Sequence, residues 1–247
     1  MDLASLLKRK SVRFYVAVWI AVAALTAAVN MALRYYLSHH RFTAIVVHHS
    51  ASEADNYRTI RKLHRQKHNW RDAGYHLILS NGKAGVPMGY LEATSRYRWL
   101  SYSLATRNRW CNLHAVHICI VGNYDEHPVP QDLKPAIAHA LWLLQKRFHI
   151  PDDRILLHRN CNSTRCPGRY ITKAELVKWV RTLPNRCPER IRRQQSAVID
   201  NARCSLRSNP LLLATSLFSL TLMVVVSAAI LYVIKRSSKE EGTDARR

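Results

Sequence analysis

The chain has 247 residues and a formal net charge of +22. This length predicts one or two domains, and the basic excess favours an anionic partner such as a cell-wall polymer or lipid head groups. Nucleic acid is the other standard partner of a basic chain, but it is not expected here because the basic domain is predicted to lie outside the cytoplasm.

The N-terminal part reads as a membrane anchor. Residues 1–13 form a basic tail, and residues 14–33 carry no charge. A run of this length can cross a bilayer as a helix. A signal peptide is the alternative, but the small-x-small sequence Ala21-Val22-Ala23 lies inside the apolar run instead of following it. We therefore predict an uncleaved transmembrane helix at residues 14–36.

The next part predicts the first half of a folded domain. Residues 43–47 are apolar and β-branched, which is typical of a buried strand. A helix at 52–67 and a strand at 75–79 follow. Asn81-Gly82 then indicates a hairpin whose second strand is expected at 85–90. Residues 91–114 are predicted to be irregular and exposed, and their arginines and aromatics suit a glycan groove or a membrane-facing surface equally well.

The second half continues the alternation of strands and helices. We predict a strand at 115–121, a helix at 131–148, a short strand at 155–157 and a helix at 172–181. The helix at 131–148 carries an apolar stripe at helical spacing. Such alternation predicts an α/β domain at residues 42–183, with a central mixed β-sheet flanked by helices.

The C-terminal part predicts a second anchor. Residues 184–209 read as a basic tether, 210–234 as a transmembrane helix and 235–247 as a cytoplasmic tail. Lysines and arginines lie on the terminal side of both spans, which places both chain ends in the cytoplasm. The expected protein is therefore a multi-pass protein of the cytoplasmic (inner) membrane, with one transmembrane helix on each side of a domain on the periplasmic or extracellular face.

Two histidines and a cysteine suggest a metal site. His48 follows the first predicted strand, His158 follows the strand at 155–157, and Cys166 lies shortly after it. Zinc binds imidazole nitrogen and thiolate sulfur in tetrahedral geometry, and catalytic sites use three protein ligands. Because strand ends converge at one edge of an α/β sheet, we predict that these three residues bind Zn²⁺.

The six cysteines do not define a disulfide pattern by sequence alone. Disulfides are permitted in an exported domain. If Cys166 binds metal, five cysteines remain and at least one is unpaired within the chain. Cys187 and Cys204 are one candidate pair, and a disulfide between Cys161 and Cys166 is the alternative to metal binding.

Four stretches in order resemble a known family. They are IVVHHSA (45–51), WRDAGYH (70–76), ICIVGNYD (118–125), and HR with TRCPG (158–168). Together they resemble the zinc-dependent N-acetylmuramoyl-L-alanine amidases of the type 2 amidase and peptidoglycan-recognition superfamily, including phage lysozymes that are amidases. The resemblance covers about residues 43–182.

The resemblance implies roles for particular residues. It implies that His48, His158 and Cys166 bind zinc, that Tyr75 lies beside the zinc-bound water, and that Thr164 contacts the reacting carbonyl. The implied reaction is hydrolysis of the amide between N-acetylmuramic acid and L-alanine in peptidoglycan. A phenol and a hydroxyl can donate hydrogen bonds to a developing oxyanion.

Plainer interpretations remain for both of these side chains. Tyr75 can be a strand aromatic, and Thr164 can cap the following turn. No carboxylate occupies a position that identifies a general base, and Glu92 is the nearest option. His117 stands where the family usually has a small residue. His76, His114, His117 and His149 are interpreted as packed or surface residues.

Three functions are compatible with the sequence. The first is a membrane-anchored zinc amidase, a hydrolase acting on the cell wall. The second is a non-catalytic receptor that holds peptidoglycan or muropeptide, although non-catalytic members of this superfamily generally lack the ligand cysteine. The third is a protein with structural zinc, which three ligands without a fourth do not favour, because structural sites are usually closed by four.

Overall fold

A computed structural model describes residues 10–202 and 210–244. The chain divides into two compact units, one of residues 1–35 with 209–247 and one of residues 36–208. The second unit carries the domain that the sequence predicts. Its strands are β1 (Ala44–His49), β2 (Leu77–Leu79), β3 (Leu91–Ala93), β4 (Ala115–Ile120) and β5 (Ile155–Leu157).

Helices surround these strands along the chain. The two long helices are α1 (Lys10–His39) and α9 (Pro210–Asp244). The helices of the second unit are α2 (Tyr57–His68), α3 (Ser95–Arg98), α4 (Arg109–His114), α5 (Lys134–Phe148), α6 (His158–Cys161), α7 (Lys173–Thr182) and α8 (Glu189–Asp200). Short 3-10 turns lie at Gln131–Leu133, Asp152–Arg154 and Pro184–Arg186.

The five strands form one mixed sheet in the order β3-β2-β4-β1-β5. β1 is parallel to both β4 and β5, β2 is parallel to β4, and only the β2–β3 pair is antiparallel. β1 and β4 are buried along their whole length, as expected of parallel strands covered on both faces. The predicted α/β class with a central mixed sheet flanked by helices is confirmed.

The hairpin prediction is wrong in its second strand. The strand expected at 85–90 is β3, Leu91–Ala93, and it pairs antiparallel with β2. The intervening loop turns at Gly82, Gly85 and Gly89, all of which have positive φ. Ser80 closes this loop, because its hydroxyl donates to the Val86 carbonyl at 2.8 Å. The Asn-Gly turn therefore opens a longer loop instead of a two-residue hairpin.

The segment 91–114 is also more ordered than predicted. It contains β3 and two short helices, and Tyr97 is fully buried. The Tyr97 hydroxyl donates to the Ile199 carbonyl of α8 at 2.9 Å. The guanidinium of Arg96 is likewise used inside the domain, donating to the carbonyls of Ala73 and Tyr102 at 2.8 and 2.9 Å.

The predicted basic tether at 184–209 contains a helix of the domain. The side chain of Gln194 in α8 pairs with both the N–H and the carbonyl of Leu91, at 2.9 and 2.7 Å. Gln195 is fully buried and donates to the Gly89 carbonyl at 2.7 Å. Through these bonds α8 covers the sheet edge, where unpaired strand groups would otherwise be exposed. Residues 203–209 of this segment lie outside the described residues.

The first unit consists of two apolar helices. Val16–His39 and Leu213–Tyr232 are long and apolar enough to cross a membrane. The indole Nε1–H of Trp19 donates to Ser227 Oγ at 3.0 Å, and the Asn30 amide donates to Ser219 Oγ at 2.9 Å. Position 19 of the first helix contacts position 227 of the second, whereas position 30 contacts position 219. The two helices therefore run antiparallel.

Asp72, in the WRDAGYH stretch, is a buried hydrogen-bond acceptor. Its carboxylate is buried and accepts hydrogen bonds from the Tyr57 hydroxyl at 2.8 Å, from the Ala73 N–H at 2.7 Å, and from the N–H and hydroxyl of Ser95. Burial raises the pKa of Asp72, but the hydrogen bonds, led by that of the Ser95 hydroxyl, outweigh it and lower the pKa overall. Asp72 therefore ties α2 and α3 to the segment that precedes β2.

We expect Asp72→Ala to destabilise the domain by about 2–3 kcal/mol, because buried donors lose a charged acceptor. The folded pKa of Asp72 is depressed, so its stabilisation is complete above the pKa of the unfolded carboxyl, about 4, and is lost as pH falls through the folded pKa. Urea unfolding of the detergent-solubilised chain at several pH values measures both effects. The exposed Asp153→Ala is the control, and equal stability of the two variants would contradict this role.

Candidate metal centre

The structure brings the three predicted ligands together. His48 lies near the end of β1, His158 follows β5 directly, and Cys166 lies in the next loop. Because β1 and β5 are parallel, with Val47 opposite Leu157, both histidines emerge at one edge of the sheet. The ligand atoms of His48, His158 and Cys166 all lie within 4.8 Å of one another. Among the residues that the structure describes, no second group of this kind is found.

Arg159 holds the loop that carries Cys166. Its backbone N–H donates to the Cys166 carbonyl at 3.0 Å, and its guanidinium donates to the carbonyls of Gly168 and Ile171 at 2.9 and 2.5 Å. The N–H of His49 donates to Cys166 Sγ at 3.4 Å. The His-Arg pair of the sequence thus combines a candidate ligand with the residue that fixes the next one.

The TRCPG loop packs against the VGNYD stretch. Gly168 has φ +98°, and a Cβ there would lie 2.3 Å from the Tyr124 carbonyl carbon, so only glycine fits. The N–H of Tyr170 donates to the Tyr124 carbonyl at 3.1 Å. The N–H of Arg169 donates to an Asp125 carboxylate oxygen at 3.2 Å. These bonds place Cys166 relative to the sheet.

Asp125 is a site neighbour that the sequence reasoning did not single out. Its carboxylate also pairs with Arg165 at 3.6 Å. Burial lowers the pKa of His49, and the nearby Asp125 charge opposes that shift. Its position at the end of the ICIVGNYD stretch could have indicated that it lies near the site.

A disulfide joins Cys111 to Cys161. This pairing overturns the alternative of a Cys161–Cys166 disulfide, and Cys166 is a free thiol. Cys161 ends the short helix α6, which begins with His158, so the disulfide anchors the helix that carries one candidate ligand. The candidate pair of Cys187 and Cys204 cannot be located, because Cys204 lies outside the described residues.

The protonation states suit metal ligation better than thiol nucleophilic chemistry. Burial lowers the pKa of His158 to about 4 and that of His48 well below its usual value, with His117 adding to the shift at His48. Both imidazoles are therefore neutral at pH 7, with lone pairs available. Burial raises the pKa of Cys166 to about 12, whereas a nucleophilic cysteine needs a lowered pKa. A bound metal ion would hold the sulfur as thiolate.

Tyr75 lies beside this group, just before β2. Its ring centroid is 4.9 Å from that of His48. Burial, followed by the neighbouring Cys119 thiol, raises the pKa of Tyr75 well above its usual value. The phenol therefore keeps its proton at neutral pH and can act as a hydrogen-bond donor. Its use in catalysis stays a prediction.

Thr164 and Glu92 have structural roles in this conformation. The exposed Thr164 accepts the Cys166 N–H on Oγ1 at 3.3 Å, which is the turn-capping role. Glu92 accepts the Tyr57 N–H at 2.9 Å, at the start of α2. β3, which carries Glu92, is separated from β1 by β2 and β4. The structure therefore gives Glu92 no place in the site, whereas a second role of Thr164 toward substrate stays a prediction.

The histidines interpreted as packed or surface residues divide into two pairs. His114 and His149 are exposed. His76 and His117 are fully buried, and His117 Nδ1 lies 2.9 Å from Nε2 of His48. This contact with a candidate ligand was missed at the sequence level. The signal was the position of His117 in β4, the parallel neighbour of β1.

The donor set suits a metal such as zinc. Two imidazoles and one thiolate are ligands of tetrahedral zinc sites, and their separation within 4.8 Å is compatible with one shared ion. Three protein ligands would leave one coordination position open, as in catalytic sites.

Comparison with known proteins gives a family and a set of structural neighbours. The Amidase_2 family model, described as N-acetylmuramoyl-L-alanine amidase, matches residues 38–169. No curated protein matches the chain. One solved neighbour is the N-acetylmuramoyl-L-alanine amidase LysC from Clostridium intestinale URNW, with 19% identity, TM-score 0.46, and coverage of 58% of this chain and 88% of that chain.

Two further neighbours come from a phage and an insect. The Ph2119 endolysin of Thermus scotoductus MAT2119 bacteriophage Ph2119 has 20% identity, TM-score 0.44, and coverage of 56% of this chain and 84% of that chain. Drosophila PGRP-LB has 20% identity, TM-score 0.44, and coverage of 57% and 82%. The family match at residues 38–169 spans more than half of the sequence and contains all three candidate ligands. The chain therefore belongs to the Amidase_2 family, which is described as N-acetylmuramoyl-L-alanine amidase.

Proposed function

We propose that this protein is a zinc-dependent N-acetylmuramoyl-L-alanine amidase that cleaves the amide between N-acetylmuramic acid and L-alanine in peptidoglycan. The observation that carries the proposal is the open donor set of His48, His158 and Cys166, whose ligand atoms lie within 4.8 Å of one another. Membership in the Amidase_2 family supports hydrolysis of this amide as the reaction.

The site residues fit amide hydrolysis. A bound zinc ion polarises a carbonyl and lowers the pKa of bound water to about 7. The neutral phenol of Tyr75, held beside His48, supplies a hydrogen-bond donor for negative charge on the carbonyl oxygen. Arg159 and the His49 N–H keep the Cys166 sulfur in place. Thr164 is a second candidate donor, because its hydroxyl hydrogen stays available while its oxygen accepts the Cys166 N–H.

The rival function is a receptor that binds peptidoglycan without cleaving it. Non-catalytic members of the superfamily generally lack the ligand cysteine. Cys166 is present, is not used in a disulfide, and lies 3.9 Å from Nδ1 of His48. These observations favour the enzyme.

We also propose that the protein is anchored in the cytoplasmic membrane with its domain outside, facing the wall. The organisation is a tail at 1–13, a span at 14–36, the amidase domain at 42–183, a basic segment at 184–209, a span at 210–234 and a tail at 235–247. Antiparallel packing of the two apolar helices through the Trp19–Ser227 and Asn30–Ser219 hydrogen bonds supports a hairpin of spans. The basic flanks of both spans favour cytoplasmic ends and contact with anionic lipids.

The enzyme proposal predicts zinc-dependent release of stem peptides. The detergent-solubilised chain is incubated with purified peptidoglycan, and new amino termini are identified by mass spectrometry. We expect free L-alanine amino termini, loss of activity with a chelator, and recovery with Zn²⁺. Cys166→Ala should lower activity by at least about 100-fold. Loss of a residue that only supports a metal ligand costs up to about 100-fold, and Cys166 would be a ligand itself. Cys187→Ala, at a buried cysteine outside the candidate ligand group, is the control.

The same assay separates ligation from catalysis at Tyr75. We expect Tyr75→Phe to lower kcat by about 100-fold while zinc content is unchanged, because one donor to the oxyanion is removed. Zinc-loaded wild-type protein that binds peptidoglycan but releases no stem peptide would favour the receptor instead.

The topology proposal predicts cytoplasmic chain ends. A fluorescent reporter that folds only in the cytoplasm, fused after Arg247, should be active, whereas alkaline phosphatase at the same position should be inactive. Alkaline phosphatase inserted in the exposed loop at Lys83 should be active and serves as the matched control. Phosphatase activity after Arg247 would contradict the two-span arrangement.

A further inference from the structure

His117 connects the candidate metal centre to the interior of the domain. Its imidazole Nε2 lies 2.9 Å from the backbone carbonyl oxygen of Cys111, and its Nδ1 lies 2.9 Å from Nε2 of His48. A carbonyl oxygen only accepts hydrogen bonds, so Nε2 of His117 must carry the hydrogen. In a neutral imidazole the other nitrogen, Nδ1, is then the acceptor.

This assignment fixes the tautomer of His48. Since Nδ1 of His117 accepts, Nε2 of His48 must donate, and Nδ1 of His48 keeps its lone pair. Nδ1 is also the atom that lies 3.9 Å from Cys166 Sγ. We propose that His117 is a positioning residue that holds His48 in the Nε2–H tautomer, so that the free Nδ1 ligates zinc. This inference rests on the proposed zinc site.

The surroundings of the two rings support this arrangement. His48 and His117 are both 0% exposed, so water is not available to replace the acceptor, and burial disfavours the imidazolium form that would reverse the hydrogen bond. The ring centroids are 5.2 Å apart with an interplanar angle of 28°. The outer nitrogen of a metal-bound histidine is commonly held in this way by a carboxylate or carbonyl.

The acceptor is itself held rigidly. The backbone N–H of His117 donates to Nδ1 of the buried His76 at 2.9 Å, and Nε2 of His76 donates to the Ser101 carbonyl at 2.7 Å. Cys111, whose carbonyl orients His117, is bonded to Cys161 at the end of the helix that begins with His158. The supports of both histidine ligands therefore meet at Cys111.

Two variants separate the hydrogen bond from the bulk of the ring. His117→Leu fills a similar space but offers His48 no acceptor. His117→Asn places an amide oxygen close to the position of Nδ1 and can accept from His48. The control is His139→Leu, which removes another buried histidine, bonded to Gln195 at 2.7 Å, on α5 and outside the candidate ligand group.

The first measurement is made on the zinc-free full chain in detergent micelles with ¹⁵N-labelled histidine. Long-range ¹H–¹⁵N spectra report which ring nitrogen carries the hydrogen, and His48→Gln identifies the His48 signals. We expect the Nε2–H tautomer of His48 in the wild type and in His117→Asn, and a mixed population in His117→Leu.

The second measurement is zinc affinity by competition with a chromophoric chelator. We expect zinc binding to be weakened about 10- to 100-fold in His117→Leu, and to stay within a few-fold of wild type in His117→Asn and His139→Leu. If His117→Leu does not fold, the wild-type tautomer and the affinity of His117→Asn still decide the question.

The outcomes separate the inference from the function on which it rests. Zinc binding by the wild type with equal affinity in His117→Leu, or a wild-type His48 that carries its hydrogen on Nδ1, overturns the role of His117 alone. Absence of zinc binding by the wild type overturns the zinc site and, with it, this inference.

Discussion

Parallel pairing of β1 with its two neighbours is the constraint on which the site depends. Parallel strands end at the same edge of a sheet, so pairing β1 with β5 brings His48 and His158 together although more than a hundred residues separate them. Pairing β1 with β4 places His117 beside His48 on the face that carries the site. Because parallel strands are buried on both faces, the same pairing buries His48 and His117, and this burial lowers the pKa of both imidazoles.

Burial has a cost that the surrounding polar network offsets. A buried polar group without a partner is destabilising, and this domain supplies partners from outside the donor group. His117 lies within hydrogen-bond distance of His48 and of the Cys111 carbonyl. Arg159 donates to carbonyls of the loop that carries Cys166. The Asp72 carboxylate accepts hydrogen bonds in the segment before Tyr75. The same bonds that satisfy these groups also restrict their orientation, so stability and pre-organisation of the site arise together.

Polar side chains also supply hydrogen bonds at the edge of the sheet and between the two apolar helices. At one edge of the sheet, β3 is covered by α8, whose Gln194 imitates a pairing strand. Outside the domain, the two apolar helices pair with each other through short polar contacts, which are costly to leave unmade in a bilayer.

The sequence by itself determined the alternation of strands and helices, the two apolar helices, and the identity of three candidate ligands, because periodicity, length and residue chemistry are local properties. The run at 115–121 predicted β4, and Ile155-Leu156-Leu157 predicted β5. The sequence did not show where the second hairpin strand pairs, because three glycines with positive φ lengthen the loop. It also did not show that 184–209 contains a domain helix, because α8 is polar on its outer face. Only the tertiary structure decided that Cys161 pairs with Cys111, that Cys166 stays free, and that His117 contacts His48. These are contacts between residues far apart in the chain, and no local pattern encodes them.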